Sequence, residues 1–427
     1  MPMSPWSPQA IDRHASGANR PVRRGAGAGA AALAAWAAAG TALGMAAAFV
    51  DTDLDTGGLA LGAGVTIAVV GAAVAAARFG GSGMRALAWL AAGTAGTAAG
   101  AGLAPAQLVQ AGVSTTVVVG AVSLVSGLVL LGLGLAAVLR ALDGWWRLLA
   151  LPVAFVVLQL GVLPLTMAVI GTHPVPEPFV SPVPDGTQRV TFAAADGVPL
   201  VAWYTPSRNR AAVVLLHGAG GSKADTREHA AVIAAGGYGV LALDARGGGE
   251  SGGHGMLWGW HGPTDIAAAI DWLAVRPDVD PARIGVVGES MGGEQAITAA
   301  AGDTRIRAVV AEGASARVPG DEAGLAFDVP GLIQRAYYPI MWGAADLMSG
   351  ASAPAPLAEL VTRLGDRHLL LISSDDPADK AAGPVIRDAA PATVELWEPA
   401  DTGHTQALAR HREEWVQRVM AFLDAEL

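Results

Sequence analysis

Hydrophobic positions follow two different rules in the two halves of this chain. Up to residue 171 they come as five long, nearly unbroken apolar stretches, at 28–50, 57–77, 86–104, 113–139 and 148–171. Each holds the ~20 residues that a helix needs to cross ~30 Å of hydrocarbon. A helix is required there because lipid offers the backbone no hydrogen-bond partner. The pattern predicts an all-α transmembrane bundle of about five helices over 28–171, behind a basic tail at 1–27. The third stretch, mostly Ala, Gly and Thr, is the leanest. Small residues suit close helix packing; were this stretch not to cross, four spans would remain.

From Gln188 the period changes. "RVTFAA" and "VPLVAWY" flank Asp196-Gly197 and read as a hairpin. "AAVVLLHG", "GVLALD", "RIGVVG", "IRAVVAEG", "HLLLISS" and "TVELWE" are short continuous apolar runs, separated by helical stretches such as "DIAAAIDWLAV". Continuous apolar strands alternating with helices predict an α/β domain, a mostly parallel sheet with helices on both faces. The proline-rich "THPVPEPFVSPVPDG", 172–186, reads as a stiff linker between the halves. The α/β domain then covers 187–427, with an insertion at about 314–356.

Charge separates the halves further. Residues 1–184 carry 8 Lys/Arg and 6 Asp/Glu, whereas 185–427 carry 19 and 31. The acidic second half argues against nucleic acid as a ligand. Basic residues sit at every second link: Arg13, Arg20, Arg23 and Arg24, then Arg78 and Arg85, then Arg140 and Arg147. The first outer link carries Asp51, Asp53 and Asp55, and the second, around Pro105, is uncharged. By the positive-inside rule the N-terminus is cytoplasmic, and five spans put the α/β domain outside the plasma membrane of a bacterium; four would put it inside. No ionisable residue lies mid-span, which disfavours a transporter. The absence of cysteine excludes thiolate catalysis and cysteine metal sites.

The candidate chemistry sits in "IGVVGESMGG". Gly288-Glu289-Ser290-Met291-Gly292 is a G-x-S-x-G pentapeptide between a strand and a helix. There a sharp turn holds a serine hydroxyl clear of the sheet at a helix N-terminus. With "LLHGAGG" (215–221), "DARGGGES" (244–251) and "GH" (403–404), residues 188–427 resemble the α/β-hydrolases, nearest the dienelactone-hydrolase-like and prolyl-oligopeptidase-like serine hydrolases. The N-terminal helices are not part of that resemblance.

The resemblance implies Ser290 as nucleophile, His404 as base and Asp376, in "SSDDPADK", as the acid; Asp375, Asp379 and Glu312 stay open as alternatives. It also implies backbone oxyanion donors at Ala219 and Met291, with His217, Gly218, Asp244 and Arg246 supporting the surrounding loops. His254 and His261 read as loop packing and lack metal-ligand spacing. Neither a metal nor a cofactor is expected. Tyr337, Tyr338 and Trp342, in the insertion, read as an apolar substrate wall or a lipid contact. The expectation is a membrane-anchored serine hydrolase acting on a small acyl ester or lipid-like substrate, with no protein partner indicated. A serine peptidase and a catalytically idle binding module are the rivals.

Overall fold

A computed structural model describes residues 24–50, 54, 56–175, 181–315, 318, 320–321 and 327–427. Arg13, Arg20, Arg23, the three link aspartates, residues 176–180 and part of the 314–356 insertion lie outside the described residues.

Among the described residues, five helices are long and apolar enough to cross a membrane. They are α1 (Arg24–Val50), α2 (Thr56–Phe79), α3 (Ser82–Leu103), α4 (Thr115–Ala141) and α5 (Gly144–Thr172). The lean third stretch is α3, and it packs against α1, α4 and α5. Its glycines explain its low hydropathy. A Cβ on Gly100 would lie 2.3 Å from Leu124 N, and one on Gly93 2.6 Å from Leu131 N, both on α4. The two backbones touch, and Ser123 donates across the contact to Gly96 O at 2.9 Å. Residues facing protein rather than lipid have no need of large apolar side chains. Outward positions do carry them, as at Ile67, Leu87 and Leu151.

Helix α5 is irregular. It begins as a 3-10 turn over Gly144–Leu149 and passes through a π turn at Leu158–Val162 just before Pro164. Proline removes a donor and crowds the preceding turn, and a π turn absorbs the extra residue.

The second half is one eight-stranded sheet in the order β1-β2-β4-β3-β5-β6-β7-β8. The strands are β1 (Gln188–Ala193), β2 (Pro199–Thr205), β3 (Ala212–Leu216), β4 (Gly239–Leu243), β5 (Ile284–Glu289), β6 (Ile306–Glu312), β7 (His368–Ile372) and β8 (Val394–Trp397). β1 and β2 form the expected hairpin, β2 meets β4 antiparallel, and every later pairing is parallel. Helices α6 (Arg227–Ala235) and α11 (Arg412–Glu426) cover one face. Helices α7 (Gly262–Ala274), α8 (Met291–Gly302) and α10 (Pro377–Ala389) cover the other. Strands such as β3 are buried on both faces, which is why they read as unbroken apolar runs. Helix α9 (Val329–Met348) stands apart, between β6 and β7.

The domain sits on the end of the bundle where α1, α3 and α5 finish. Leu257 N donates to Gly171 O at 2.9 Å, and a Cβ on Gly171 would strike the Trp258 ring at 2.1 Å. Trp260, Met341 and Trp342 bury against Phe49, Leu103 and Val169.

Candidate active site

Parallel strands point their carboxyl ends at one rim of the sheet, where ligands bind in such folds. β5 ends there at Glu289, and α8 begins two residues later. The single residue between them, Ser290, has φ 52° and ψ −118°. That left-handed backbone costs a non-glycine residue about 1–3 kcal/mol and needs rigid surroundings. The flanking glycines supply them: a Cβ at 288 would sit 2.2 Å from Gly292 C, and one at 292 would sit 2.6 Å from Leu216 O.

Ser290 Oγ lies 2.9 Å from His404 Nε2. His404 Nδ1 lies 2.9 Å from Asp379 Oδ2 and 3.1 Å from Oδ1. A carboxylate only accepts, so Nδ1 carries the proton and Nε2 is left to take one from the serine. The Asp379 side chain is fully shielded, whereas His404 is 37% exposed. Ser374 Oγ donates to Asp379 Oδ2 at 2.5 Å and Ser373 Oγ to the Asp379 carbonyl at 2.9 Å, fixing the acid from behind.

The sequence favoured Asp376, with Asp379 among the alternatives; the carboxylate beside His404 is that of Asp379. Asp376 is the N-cap of α10, its carboxylate accepting from Ala378 N at 2.9 Å. Asp375 pairs with Lys380 at 3.0 Å on the surface. Glu312 accepts from Ala407 N at 2.8 Å and Trp415 Nε1 at 3.0 Å, so it holds the segment after His404 rather than the imidazole itself. One signal for Asp379 was present in the sequence: an aspartate directly before a proline is a typical N-cap followed by N1 proline. Capping removes Asp376 and leaves an aspartate on the first turn.

Gly218 approaches the nucleophile closely, since a Cβ there would lie 3.4 Å from Ser290 Cβ. Met291 opens α8, whose first N–H groups have no acceptor within the helix. His217 donates from Nδ1 to Gly218 O at 2.7 Å and accepts from Ala245 N at Nε2, 3.1 Å away. Burial pushes its pKa down, which suits this neutral, two-ended brace. Asp244, wholly buried, holds Lys223 at 2.5 Å, and Arg246 forks onto Asp265 at 2.7 Å. Both belong to scaffolding beside the site.

An open cleft of about 110 Å³ reaches Met291, the residue after Ser290, and is lined also by His217, Met256, Leu257, His261 and Gln295. Pro174 and Val175, just past α5, close its far side. His254 lies in the loop backing onto Gly247. Among the described residues no three His, Asp or Glu side chains gather as a metal site.

A buried acid cluster beneath the elbow had no sequence signal. Burial, helped by Glu312 and Asp225, pushes Glu289 up to about 8. Burial also raises Glu312. His229 lies 3.5 Å from Glu289 and is pushed down to about 4 by burial.

The sheet order and the strand-to-helix elbow define residues 188–427 as an α/β-hydrolase domain. Residues 207–341 match the family described as serine aminopeptidase, S33. That match ends before Asp379 and His404. An uncharacterized Mycobacterium tuberculosis protein, Rv2307c, is 34% identical over 125 residues, which is 29% of this chain and 44% of its own length. YfhR of Salmonella typhi is 30% identical over 128 residues, 28% of this chain and 42% of its own. The chain thus spans less than half the length of these relatives. The solved structure of the Pyrococcus furiosus esterase Pf2001 is similar at a TM-score of 0.46 and 24% identity, covering 59% of this chain and 98% of that one.

Proposed function

We propose that the protein is a membrane-anchored serine hydrolase that cleaves carboxylic esters through Ser290, His404 and Asp379. The observation that carries this reading is the 2.9 Å contact from Ser290 Oγ to His404 Nε2, continued at 2.9 Å from Nδ1 to the buried Asp379. His404 takes the hydroxyl proton as Oγ bonds the ester carbonyl carbon. Asp379 holds the imidazole's tautomer and stabilises the imidazolium. The carbonyl oxygen becomes an oxyanion facing the N–H groups of Ala219 and Met291; each such donor contributes about 3 kcal/mol in comparable sites. His404 then protonates the departing alcohol, leaving an acyl-serine. Water, deprotonated by His404, attacks that acyl group and regenerates Ser290.

Ester is preferred to amide because Met256, Leu257, Met291 and Pro174 give the cleft apolar walls at the end of the bundle. The family description favours an aminopeptidase as second reading. Asp225, which lines the cleft, is the carboxylate that would meet a substrate α-ammonium. Comparing kcat/KM on an acyl p-nitrophenyl ester and an aminoacyl p-nitroanilide decides between them. An ester burst with Ser290 acylated by mass spectrometry is expected; preferential anilide turnover would reverse the assignment.

The five spans support a cytoplasmic N-terminus and an extracytoplasmic catalytic domain, because an odd number of crossings separates the two ends. The central packing of α3 removes the reason for discounting it as a span. Protease added to intact spheroplasts should cut the catalytic domain; protection there would reverse the orientation.

A further inference from the structure

Helix α9 reaches a depth that a cap over a water-facing site does not require. Its second half, with Trp342 and Ala345, packs against Phe49, Leu103 and Val169 at the ends of α1, α3 and α5. Its first half runs down α5, where Val329, Leu332 and Ala336 face Phe155, Gln159 and Leu160 across an apolar groove. From Val169 back to Gln159 is about 15 Å at 1.5 Å per residue. That is about half of a ~30 Å hydrocarbon layer.

Among the described residues, both walls keep much of their apolar surface exposed. Of the groove residues, Val329 is 71% exposed, Leu332 55% and Phe155 51%; Phe327 beside it on α9's entry and Leu151 a turn earlier on α5 are 83% and 69% exposed. In water such a patch would be a liability. At this depth it meets acyl chains. The helix is also more than an anchor, since it carries Arg335, stacked 4.3 Å over Phe327, and Asp328, which caps the helix at Gly331 N. Charges at mid-membrane are costly and mark functional elements.

The upper end of α9 leads toward Ser290. Tyr338 stacks on Trp342, which packs edge-on against Trp258 at 4.9 Å. Met256 belongs to the same cluster and also lines the cleft beside Met291. From Ala336 to Trp342 is about 9 Å along the helix. The helix therefore reaches from the groove to the Trp258–Met256 loop, and that loop lines the cleft.

We propose that this groove takes the acyl chain of a membrane lipid and that α9 guides it from the bilayer to the cleft, so that the substrate is a long-chain acyl ester drawn from the membrane. This rests on the serine-hydrolase reading and on the five spans crossing the bilayer.

The chain has no cysteine, so a single introduced one labels cleanly. Full-length protein with bimane at Leu332→Cys, in nanodiscs of chain-brominated phosphatidylcholine, should be quenched as strongly as at Leu151→Cys and far more than at Lys380→Cys. Quenching at the Lys380 level, whether from water or from a second copy over the groove, overturns the proposal. The ratio of kcat/KM for p-nitrophenyl palmitate in dioleoylphosphatidylcholine vesicles to that for p-nitrophenyl acetate should fall about tenfold in Leu332→Gln, the low end of the discrimination that an apolar contact with the substrate provides. An unchanged ratio also overturns it. Absence of any serine-directed labelling in wild type would instead sink the hydrolase reading, leaving the quenching result to stand by itself.

Discussion

The carboxylate of Asp379 accepts a hydrogen bond from His404 Nδ1 at 2.9 Å and is closed to solvent, while Asp376, three residues earlier, caps the helix that carries it. Two neighbouring acids thus have separable tasks. Asp379→Asn should lower kcat about 10⁴-fold, because the amide no longer holds the imidazole in the productive tautomer. Asp376→Ala should cost about 1 kcal/mol of stability as a lost cap. It should leave ester hydrolysis within a small factor of wild type. Steady-state kinetics on both variants, with thermal melts alongside, checks the pair; a larger kinetic loss at Asp376 would reverse the assignment.

Stability should depend on pH through the cluster under Ser290. Glu289 has a pKa raised from 4.5 to about 8, so its contribution is fully present below pH 4.5 and is lost as pH rises through about 8. His229 is depressed from 6.5 to about 4, so its contribution is present above 6.5 and lost as pH falls through about 4. Glu289→Gln should therefore flatten the fall in Tm between about pH 4.5 and 8 and leave the limb below pH 4.5 unchanged. One kcal/mol moves Tm by about 2–4 °C in a domain of this size, so the effect is measurable. Parallel Tm curves for wild type and variant would remove Glu289 from the account.

Lys223 is shielded by Asp244 on one side and Glu250 on the other, at 2.5 and 2.7 Å. Asp244→Ala leaves that ammonium buried with one partner fewer. The expected cost is about 3 kcal/mol, the low end for breaking a buried pair, because Glu250 remains. Denaturant melts of the variant measure it; a change under ~0.5 kcal/mol would mean the pair contributes little.

In the bundle, Gly100→Val should force α3 and α4 apart and cost about 1–3 kcal/mol by overpacking. Gly132, also on α4, has nothing within 4 Å of its would-be Cβ, and Gly132→Val should be tolerated. Thermal unfolding of detergent-purified variants, read by size-exclusion monodispersity, compares the two. Equal tolerance would mean that the α3–α4 backbone contact does not hold the bundle.

The central strands were legible because each is buried on both faces and so shows as an unbroken apolar run, from "AAVVLLHG" to "HLLLISS". Ser290 was legible because its turn forbids side chains at 288 and 292. The acid was harder. Which of three clustered aspartates meets His404 depends on where α10 starts, and only the helix cap separates them. The weakness of the third apolar stretch had a tertiary cause, its burial by α1, α4 and α5, that hydropathy along the chain does not register. The depth of α9 and the pairing of Glu289 with His229 arise from contacts distant in sequence and have no local pattern.

The central claim is that Ser290 is a nucleophile activated by His404. Membranes holding the full-length protein should be treated with a fluorophosphonate probe and compared with Ser290→Ala and His404→Ala. Strong labelling of wild type, none of Ser290→Ala and a loss of several orders of magnitude in rate for His404→Ala is the expected result. Folded wild-type protein that takes no label, or Ser290→Ala protein that labels as wild type does, would contradict it.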